Sequence, residues 1–130
     1  MKINWDEYEV RLCEDSSKEN EVTGEDMGGE DWYACPVADM IAGKAEWTPE
    51  SQWGKDHNQR YGGYQAVSFK FEGADDNGLH LSTEKWYHQD ITLTPENPKW
   101  STGWYSFGSW DYCVRLLLQK INNEEVQSNQ

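Results

Sequence analysis

Acidic side chains are the chemically active groups that this sequence concentrates most strongly. Eight of its 24 acids lie between positions 14 and 31, grouped in close pairs, with a single base, Lys18, among them. Trp32 and Tyr33 follow directly. Carboxylates spaced in this way can imitate a row of phosphates. They could then occupy the Arg/Lys groove that a protein offers to DNA or RNA.

The partner-binding site predicted from this pattern combines the acids with the two aromatic residues, which would add apolar anchors. Its members are Glu14, Asp15, Glu19, Glu21, Glu25, Asp26, Glu30, Asp31, Trp32 and Tyr33. The hypothesis requires the acids to form one ordered anionic ridge. The alternative is a solvated segment that keeps a Trp-rich protein soluble. Because Gly24, Gly28 and Gly29 interrupt the stretch, we predict a long exposed loop or hairpin.

Other groups that could do chemistry have a simpler structural explanation. Residues 73–78 partly match a calcium loop, but the first position lacks a ligand side chain, so a hairpin turn is predicted. Histidine and cysteine show no zinc-ligand spacing, and we predict unpaired surface imidazoles and reduced, packed thiols. These residues are His57, His80, His88, Cys13, Cys35 and Cys113. The sequence therefore predicts no catalytic residue, no cofactor and no metal, in a protein that is not an enzyme.

The periodicity of the apolar residues predicts an α+β fold. One apolar face at helical spacing predicts a C-terminal helix at about 109–122, capped by Ser109; it is formed by Trp110, Cys113, Val114, Leu117, Leu118 and Ile121. Two shorter helices are predicted at about 36–42 and 48–60, each beginning near a proline. Alternation predicts strands at 4–12, 65–72, 79–83 and 87–94. The expected fold is a small antiparallel sheet of about four strands covered by these three helices.

Composition limits the classes of function and compartment. The chain has 130 residues and is predicted to form one domain over 1–130. Only 36% of residues are hydrophobic, so the eight Trp and seven Tyr are expected to anchor the core. No apolar run approaches the ~20 residues that cross a bilayer, and the first residues lack the apolar centre of a signal peptide. We therefore expect a cytoplasmic protein.

The net charge of -13 sets the kind of partner. A phosphate backbone or an anionic membrane would be repelled, so we predict neither direct nucleic-acid binding nor a membrane partner. The favoured partner is a basic nucleic-acid-binding protein, such as a nuclease or a defence effector. Size, acidity and the lack of catalytic motifs are typical of phage or plasmid anti-defence inhibitors (anti-CRISPR and anti-restriction DNA mimics), which act in the host cytosol.

Two alternatives have different partners. An immunity-type protein would cap a basic toxin by nearly the same physics. A small-ligand or carbohydrate module would instead use aromatic residues at 100–107 as a stacking platform, although we predict Trp100, Trp104, Tyr105 and Phe107 to be core or core edge. The protein is expected to act as a monomer or a small homo-oligomer.

Overall fold

Antiparallel β-structure dominates the protein. The computed structural model describes residues 2–50, 55, 69–84 and 88–121. Strands account for 56% of the structure and form two sheets, of six and three strands. The predicted α+β fold is therefore wrong. Within the described residues, no helix is long and apolar enough to span a membrane.

The six-stranded sheet has the order β3-β2-β1-β9-β7, with β8 also paired to β9, and the three-stranded sheet has the order β4-β5-β6. The helix α1 (Val37–Ile41) lies between β2 and β3 in the chain. The strands are β1 (Tyr8–Ser17), β2 (Glu30–Pro36), β3 (Thr48–Pro49), β4 (Phe69–Asp75), β5 (Gly78–Thr83), β6 (Gln89–Leu93), β7 (Lys99–Ser101), β8 (Tyr105–Phe107) and β9 (Trp110–Lys120).

The hydrophobic core of the described residues lies between the two sheets. We call the face of the six-stranded sheet that packs on this core the inner face, and the opposite one the outer face. Val10 and Leu12 of β1 are fully buried on the inner face, and their neighbours on β2 and β9 complete the layer. The buried members of the core are Trp5, Val10, Leu12, Tyr33, Cys35, Val37, Met40, Leu79, Leu81, Ile91, Leu93, Val114, Leu116 and Leu118.

The predicted C-terminal helix is instead β9, the longest strand. β1 pairs with it on one side, and β7 and β8 pair with it on the other. A short apolar run fits a buried strand as well as a helix, because periodicity alone does not separate the two. Cys113 lies on the outer face and Val114 on the inner face, and both are buried. Ser109 caps no helix, since it lies in the two-residue turn between β8 and β9.

The other predicted elements have mixed outcomes. The helix at 36–42 is confirmed as α1, and the hairpin over 73–78 is confirmed by the β4–β5 pairing. The strands at 79–83 and 87–94 correspond to β5 and β6, whereas residues 65–68 lie outside the described part of the chain. The predicted helix at 48–60 is wrong at its start, where β3 pairs with β2; most of the remainder is not described.

The acidic segment forms a hairpin that continues the β1–β2 pairing. Pairing begins at Glu9–Pro36 and reaches the Glu19–Asp26 bridge and the Asn20–Glu25 hydrogen bond with no inserted residue. Beyond Ser17, which pairs with Asp111, residues 18–29 extend past β9. We call residues 18–29 the arm. The prediction of an exposed loop or hairpin is thus confirmed as a hairpin. The strand predicted at 4–12 is wrong at its start, where Trp5–Glu7 form a short 3-10 helix, and β1 continues to Ser17.

Gly28 is required where the two strands of the arm approach each other. A Cβ atom built there would lie 1.8 Å from the Ser16 carbonyl oxygen and 2.7 Å from the Ser17 Cα, distances that need a backbone shift. A Cβ atom built on Gly29 would meet nothing within 4 Å. The two neighbouring glycines therefore differ sharply in the space around them.

We predict that Gly28→Ala weakens the arm while Gly29→Ala leaves it intact. The added methyl group of Gly28→Ala should cost about 1–3 kcal/mol through overpacking. Hydrogen exchange of the Met27 amide, which donates to the Lys18 carbonyl, reports the pairing directly. Equal protection of Met27 in the two variants would contradict this prediction.

Candidate functional site

The predicted site residues are divided between the two faces of the β1–β2 hairpin. Side chains alternate along a strand, and cross-strand partners share a face. The outer face carries Asp15, Glu30 and Trp32, and the same alternation places Glu19 and Asp26 with them. The inner face carries Glu14, Asp31 and Tyr33, and the alternation adds Glu25. The carboxylates therefore do not form a single ridge, because neighbours such as 14/15 and 30/31 must point in opposite directions.

Arg115 is the centre of the charged cluster on the outer face. It lies opposite Cys13, and its Nη2 donates to the carboxylates of Asp15 and Glu30 and to the Cys13 thiol, the last at 3.3 Å. Burial raises the pKa of the Asp15 carboxyl, and it outweighs the opposing attraction of Arg115. The hydrogen bond to Cys13 raises the pKa of Arg115 above its ordinary value.

Trp32 lies close to two cationic side chains of the same sheet. The Arg11 guanidinium lies 4.1 Å from its ring centroid, and that of Arg115 lies 5.8 Å away. Its indole N–H donates to Glu30, and this bond lowers the pKa of that carboxyl. Arg11 is fixed in turn by two bonds to the Glu50 carboxylate, at 2.7 and 2.9 Å. Trp32 is therefore half-buried in a structural network.

Three potential metal ligands meet at the same place. One ligand atom each from Cys13, Asp15 and Glu30 lies within 4.8 Å of the others. Arg115 donates to all three, so its guanidinium already provides the positive charge that these groups require. Burial raises the pKa of the Cys13 thiol to about 12, which disfavours the thiolate form that binds metals. The cluster is explained as an ion pair.

Tyr33 lies in the core, with 5% of its surface exposed. Burial raises the pKa of its phenol to about 12, with a further contribution from the charges of Asp31 and Glu14. Tyr33 is thus not an exposed anchor for a partner. Its position shows that Glu14 and Asp31 lie just beyond the core, at the end of the inner face.

The arm carries the acids that are most available to a partner. Glu19, Glu21 and Glu25 are exposed, and their carboxylates make no hydrogen bond or ion pair with other residues in the described ranges. Asp26 differs, because its carboxylate accepts from the backbone N–H groups of Gly28 and Lys18 and from the Ser17 hydroxyl. These bonds lower the pKa of the Asp26 carboxyl. Because they connect the two strands of the arm, Asp26 stabilises the arm's structure.

The sequence reasoning missed Arg115 and Tyr112 at this end of the molecule, and it named Tyr105 only as core or core edge, or as part of a stacking platform. Arg115 fell within the predicted C-terminal helix, although a lone base in an apolar strand pattern signals an ion pair with acids on neighbouring strands. Tyr105 and Tyr112 face each other across the β8–β9 hairpin, with ring centroids 5.9 Å apart. Gly108-Ser109 between two alternating runs is a hairpin signal that could have located both tyrosines.

Two predictions about other side chains are also corrected. His80 was expected to be unpaired, but its Nε2 lies 3.0 Å from Asp75 Oδ1 and its Nδ1 lies 3.2 Å from Thr92 Oγ1. Of the predicted aromatic core residues, Trp100 packs at the core edge against Phe69, whereas Trp104 is 59% exposed. The three cysteines are free and buried, as predicted.

No family model, curated protein or solved structure matches this chain.

We predict that Arg115→Met costs about 1–2 kcal/mol of unfolding free energy at pH 7, because it leaves the Asp15 carboxylate without its cation. The cost should shrink as the pH falls toward 3. Burial raises the pKa of Asp15, so this group takes up a proton early in the descent, and a neutral carboxyl no longer needs Arg115. Chemical denaturation at several pH values measures both effects.

Lys120→Met on the same strand provides the control. The Lys120 Nζ lies 3.8 Å from a Glu7 carboxylate, and both side chains are more than half exposed. An exposed pair of this kind should change stability by no more than about 0.5 kcal/mol. A cost for Arg115→Met that is independent of pH would show that lost packing, and not the ion pair, is responsible.

Proposed function

We propose that this protein is an acidic inhibitor that acts by binding, and that its arm occupies the basic nucleic-acid groove of a larger cytoplasmic protein. The class is that of phage or plasmid anti-defence proteins, with a nuclease or defence effector as the partner. The observation that carries the proposal is the arm itself. The arm carries its carboxylates on an ordered two-stranded ribbon. This ribbon extends beyond Ser17–Asp111, the last residue pair between β1 and β9.

The distribution of the bases supports the arm as the binding element. Arg11 and Arg115 form ion pairs on the outer face of the sheet, and Lys120 pairs with Glu7 near the end of β9. Within the arm, Lys18 is the only base, and its Nζ lies 5.6 Å from the Trp110 ring centroid. The negative charge of the arm is therefore left largely uncompensated by other described residues.

The single ridge that the sequence analysis required is absent, and the proposal instead has acids on both faces of the ribbon act on one groove. A two-stranded ribbon is one layer thick, so a groove that encloses it can contact the acids on both of its faces. A ribbon inserted into a groove would also meet two walls, which a flat ridge on one face would not.

Apolar side chains on the arm supply the second requirement for affinity. Val22 is 93% exposed at the tip, and Met27 is 46% exposed on the inner face. Exposed apolar groups surrounded by acids can be desolvated at the floor of a cleft while the acids meet its basic walls. Val22 and Met27 replace Trp32 and Tyr33 as the proposed anchors, because the latter two are built into the sheet and core.

We predict that the triple variant Glu19→Gln, Glu21→Gln, Glu25→Gln loses binding to the basic partner without losing its fold. The partner is captured from the lysate of the native host with tagged wild-type protein, after nuclease treatment, and is identified by mass spectrometry. Duplex DNA should then compete with the wild-type protein for it. Affinity should fall steeply between about 0.1 and 0.5 M salt, because the contacts are between charges.

A second triple variant controls for net charge. Glu46→Gln, Asp90→Asn and Glu96→Gln remove the same charge from exposed positions outside the arm. This variant should retain most of the affinity. Equal losses of affinity in the two variants would mean that overall charge alone causes the effect. Wild-type affinity in the arm variant would end the proposal.

A further inference from the structure

An open cavity of about 650 Å³ lies beside the base of the arm. Its position follows from the strand register, because Glu14, Asp31 and Val114 form the row of the inner face directly beyond the core row that contains Leu12. The cavity therefore continues the inner face past the end of the core. Its size is within the range of small-molecule sites.

Two tyrosine rings form one wall of this cavity. Tyr105 of β8 and Tyr112 of β9 are direct cross-strand partners, and both are half-buried. Their ring centroids lie 5.9 Å apart and their planes are tilted by 35°, so the two rings adjoin and form one platform. Val114, which is 4% exposed, extends the apolar surface beside them. A platform of this kind packs well against the apolar face of another ring.

The hydroxyl groups of the two tyrosines are available for hydrogen bonds. Among the described residues, neither Tyr105 nor Tyr112 makes a hydrogen bond through its phenol oxygen. A tyrosine presents an apolar ring and a polar tip, and the tip finds a partner when water is excluded from it. A ligand on the platform must therefore carry groups that can exchange hydrogen bonds with these hydroxyls.

The carboxylates that border the cavity already have partners. Asp15 is paired with Arg115 on the outer face, and Glu14 and Asp31 each interact with another group of the protein. The cavity therefore does not require a cation. An ionised carboxylate has about four lone-pair sites, so one that has a partner can still accept a further hydrogen bond from a neutral donor.

These features favour a neutral ring that is rich in hydroxyl groups. An anion would be repelled by the carboxylates, and a purely apolar ligand would cover their oxygens without offering a donor. A pyranose sugar meets both requirements. The C–H groups of its ring face pack on the tyrosine rings, while the hydroxyls at its rim donate to the carboxylates and exchange hydrogen bonds with the phenol oxygens.

We propose that this cavity binds a neutral pyranose sugar whose ring face stacks on the platform of Tyr105 and Tyr112. Glucose-type stereochemistry fits best, because equatorial hydroxyls leave only C–H groups on both faces of the ring. The aromatic residues at 100–107 thus contribute Tyr105 to a stacking surface. The inference goes beyond the proposed function and is independent of it, because none of the acids of the arm takes part.

Titration of methyl β-D-glucopyranoside into the isotope-labelled full chain tests this site. The glucoside should shift the NMR signals of Tyr105, Tyr112 and Val114 with a millimolar dissociation constant. Two controls each lack one half of the recognition: D-glucitol keeps the hydroxyls without the ring, and 2-methoxytetrahydropyran keeps the ring without the hydroxyls. Neither should shift these signals. No shift up to about 50 mM glucoside, or equal shifts with either control, would overturn the proposal.

Charged sugars test whether the cavity selects a neutral ligand. The amino sugar methyl 2-amino-2-deoxy-β-D-glucopyranoside carries a positive charge, and it should bind within about fivefold of the glucoside, because the acids already have partners. The corresponding glucuronide carries a negative charge and should bind more weakly than both. Binding of the amino sugar alone would show that the cavity selects a cation, and it would refute the proposal.

The length of the sugar distinguishes a free monosaccharide from a glycan chain. Methyl β-cellobioside places a second pyranose ring next to the first, where the adjoining tyrosine ring can receive it. Tighter binding of the disaccharide than of the glucoside would assign a chain to the site, and equal binding would assign a single unit. Failure of both sugars to bind would leave no pyranose site.

Variants of the lining separate recognition from folding. Tyr105→Leu and Tyr112→Leu should each weaken glucoside binding about two- to tenfold, because each removes a ring face. Tyr112→Phe keeps the ring and should lose less affinity than Tyr112→Leu. Trp104→Leu is the matched control, since Trp104 is 59% exposed and is not among the residues that line the cavity; it should bind as the wild type does.

Amide spectra that retain the wild-type dispersion verify the fold of each variant. Wild-type binding in both folded Leu variants of the tyrosines, or a loss in the Trp104 variant as large as theirs, would rule out the tyrosine platform. The comparison of the glucoside with its two control ligands uses the wild-type chain, so it tests the site even where a variant does not fold.

The arm variant distinguishes this inference from the proposed function. Glu19→Gln, Glu21→Gln, Glu25→Gln leaves the cavity intact, so it should bind the glucoside as the wild type does. If the glucoside binds but no basic protein is captured, the sugar site stands and the inhibitor function fails. If a basic partner is captured but the glucoside does not bind, the function stands and the sugar site is wrong.

Discussion

The pairing of β1 with a strand on each side is the constraint on which the rest of this structure depends. β9 pairs with the whole length of β1 along one edge, and β2 pairs with β1 along the opposite edge. Because side chains alternate, the register that buries Val10 and Leu12 also sends Arg11, Cys13 and Asp15 to the outer face. A slip by one residue would exchange these two sets. The core therefore fixes the position of every acid at the base of the arm.

The same register divides the negative charge into two parts with different roles. At the base, Asp15 and Glu30 are paired with Arg115, so their negative charges are compensated within the sheet. In the arm, Glu19, Glu21 and Glu25 are exposed, while the backbone hydrogen bonds to Asp26 hold the ribbon in shape. A segment that is rich in like charges would otherwise repel itself and lose its order. The continuous strand pairing and the hydrogen bonds to Asp26 therefore give this segment a defined structure.

The sequence predicted local features better than the fold. Short signals with a direct stereochemical cause were reliable. The hairpin over 73–78 follows from turn residues and alternation, and the helix at 36–42 from the proline at its start. The exposed loop or hairpin predicted between 14 and 31 follows from its glycines. The C-terminal strand was misassigned because Cys113 and Leu117 lie on the outer face of β9, and Val114 and Leu118 on the inner face, which imitates helical spacing. Leucine also favours helices, and the hydrogen bonds from strands on both sides override that preference.

Parts of the candidate site depended on information that the sequence does not contain. The opposite directions of 14/15 and 30/31 were predictable once a strand was assigned there, so a single ridge could have been rejected earlier. The pairing of Arg115 with Asp15 and Glu30 joins residues 100 and 85 positions apart, and no local pattern identifies these two partners. Likewise, the tyrosines of β8 and β9 face the carboxylates of β1 and β2 only because of the strand order.

Deletion of the arm tests the central claim most directly. Replacing residues 18–27 with Asn-Gly joins Ser17 to Gly28 by a two-residue turn and preserves the pairing of the sheet below it. The affinity of this chain for the basic protein captured by the full-length chain is then measured by calorimetry at low salt. The account predicts an intact sandwich whose binding is lost. Undiminished affinity in the shortened, folded chain would show that the recognition surface lies elsewhere.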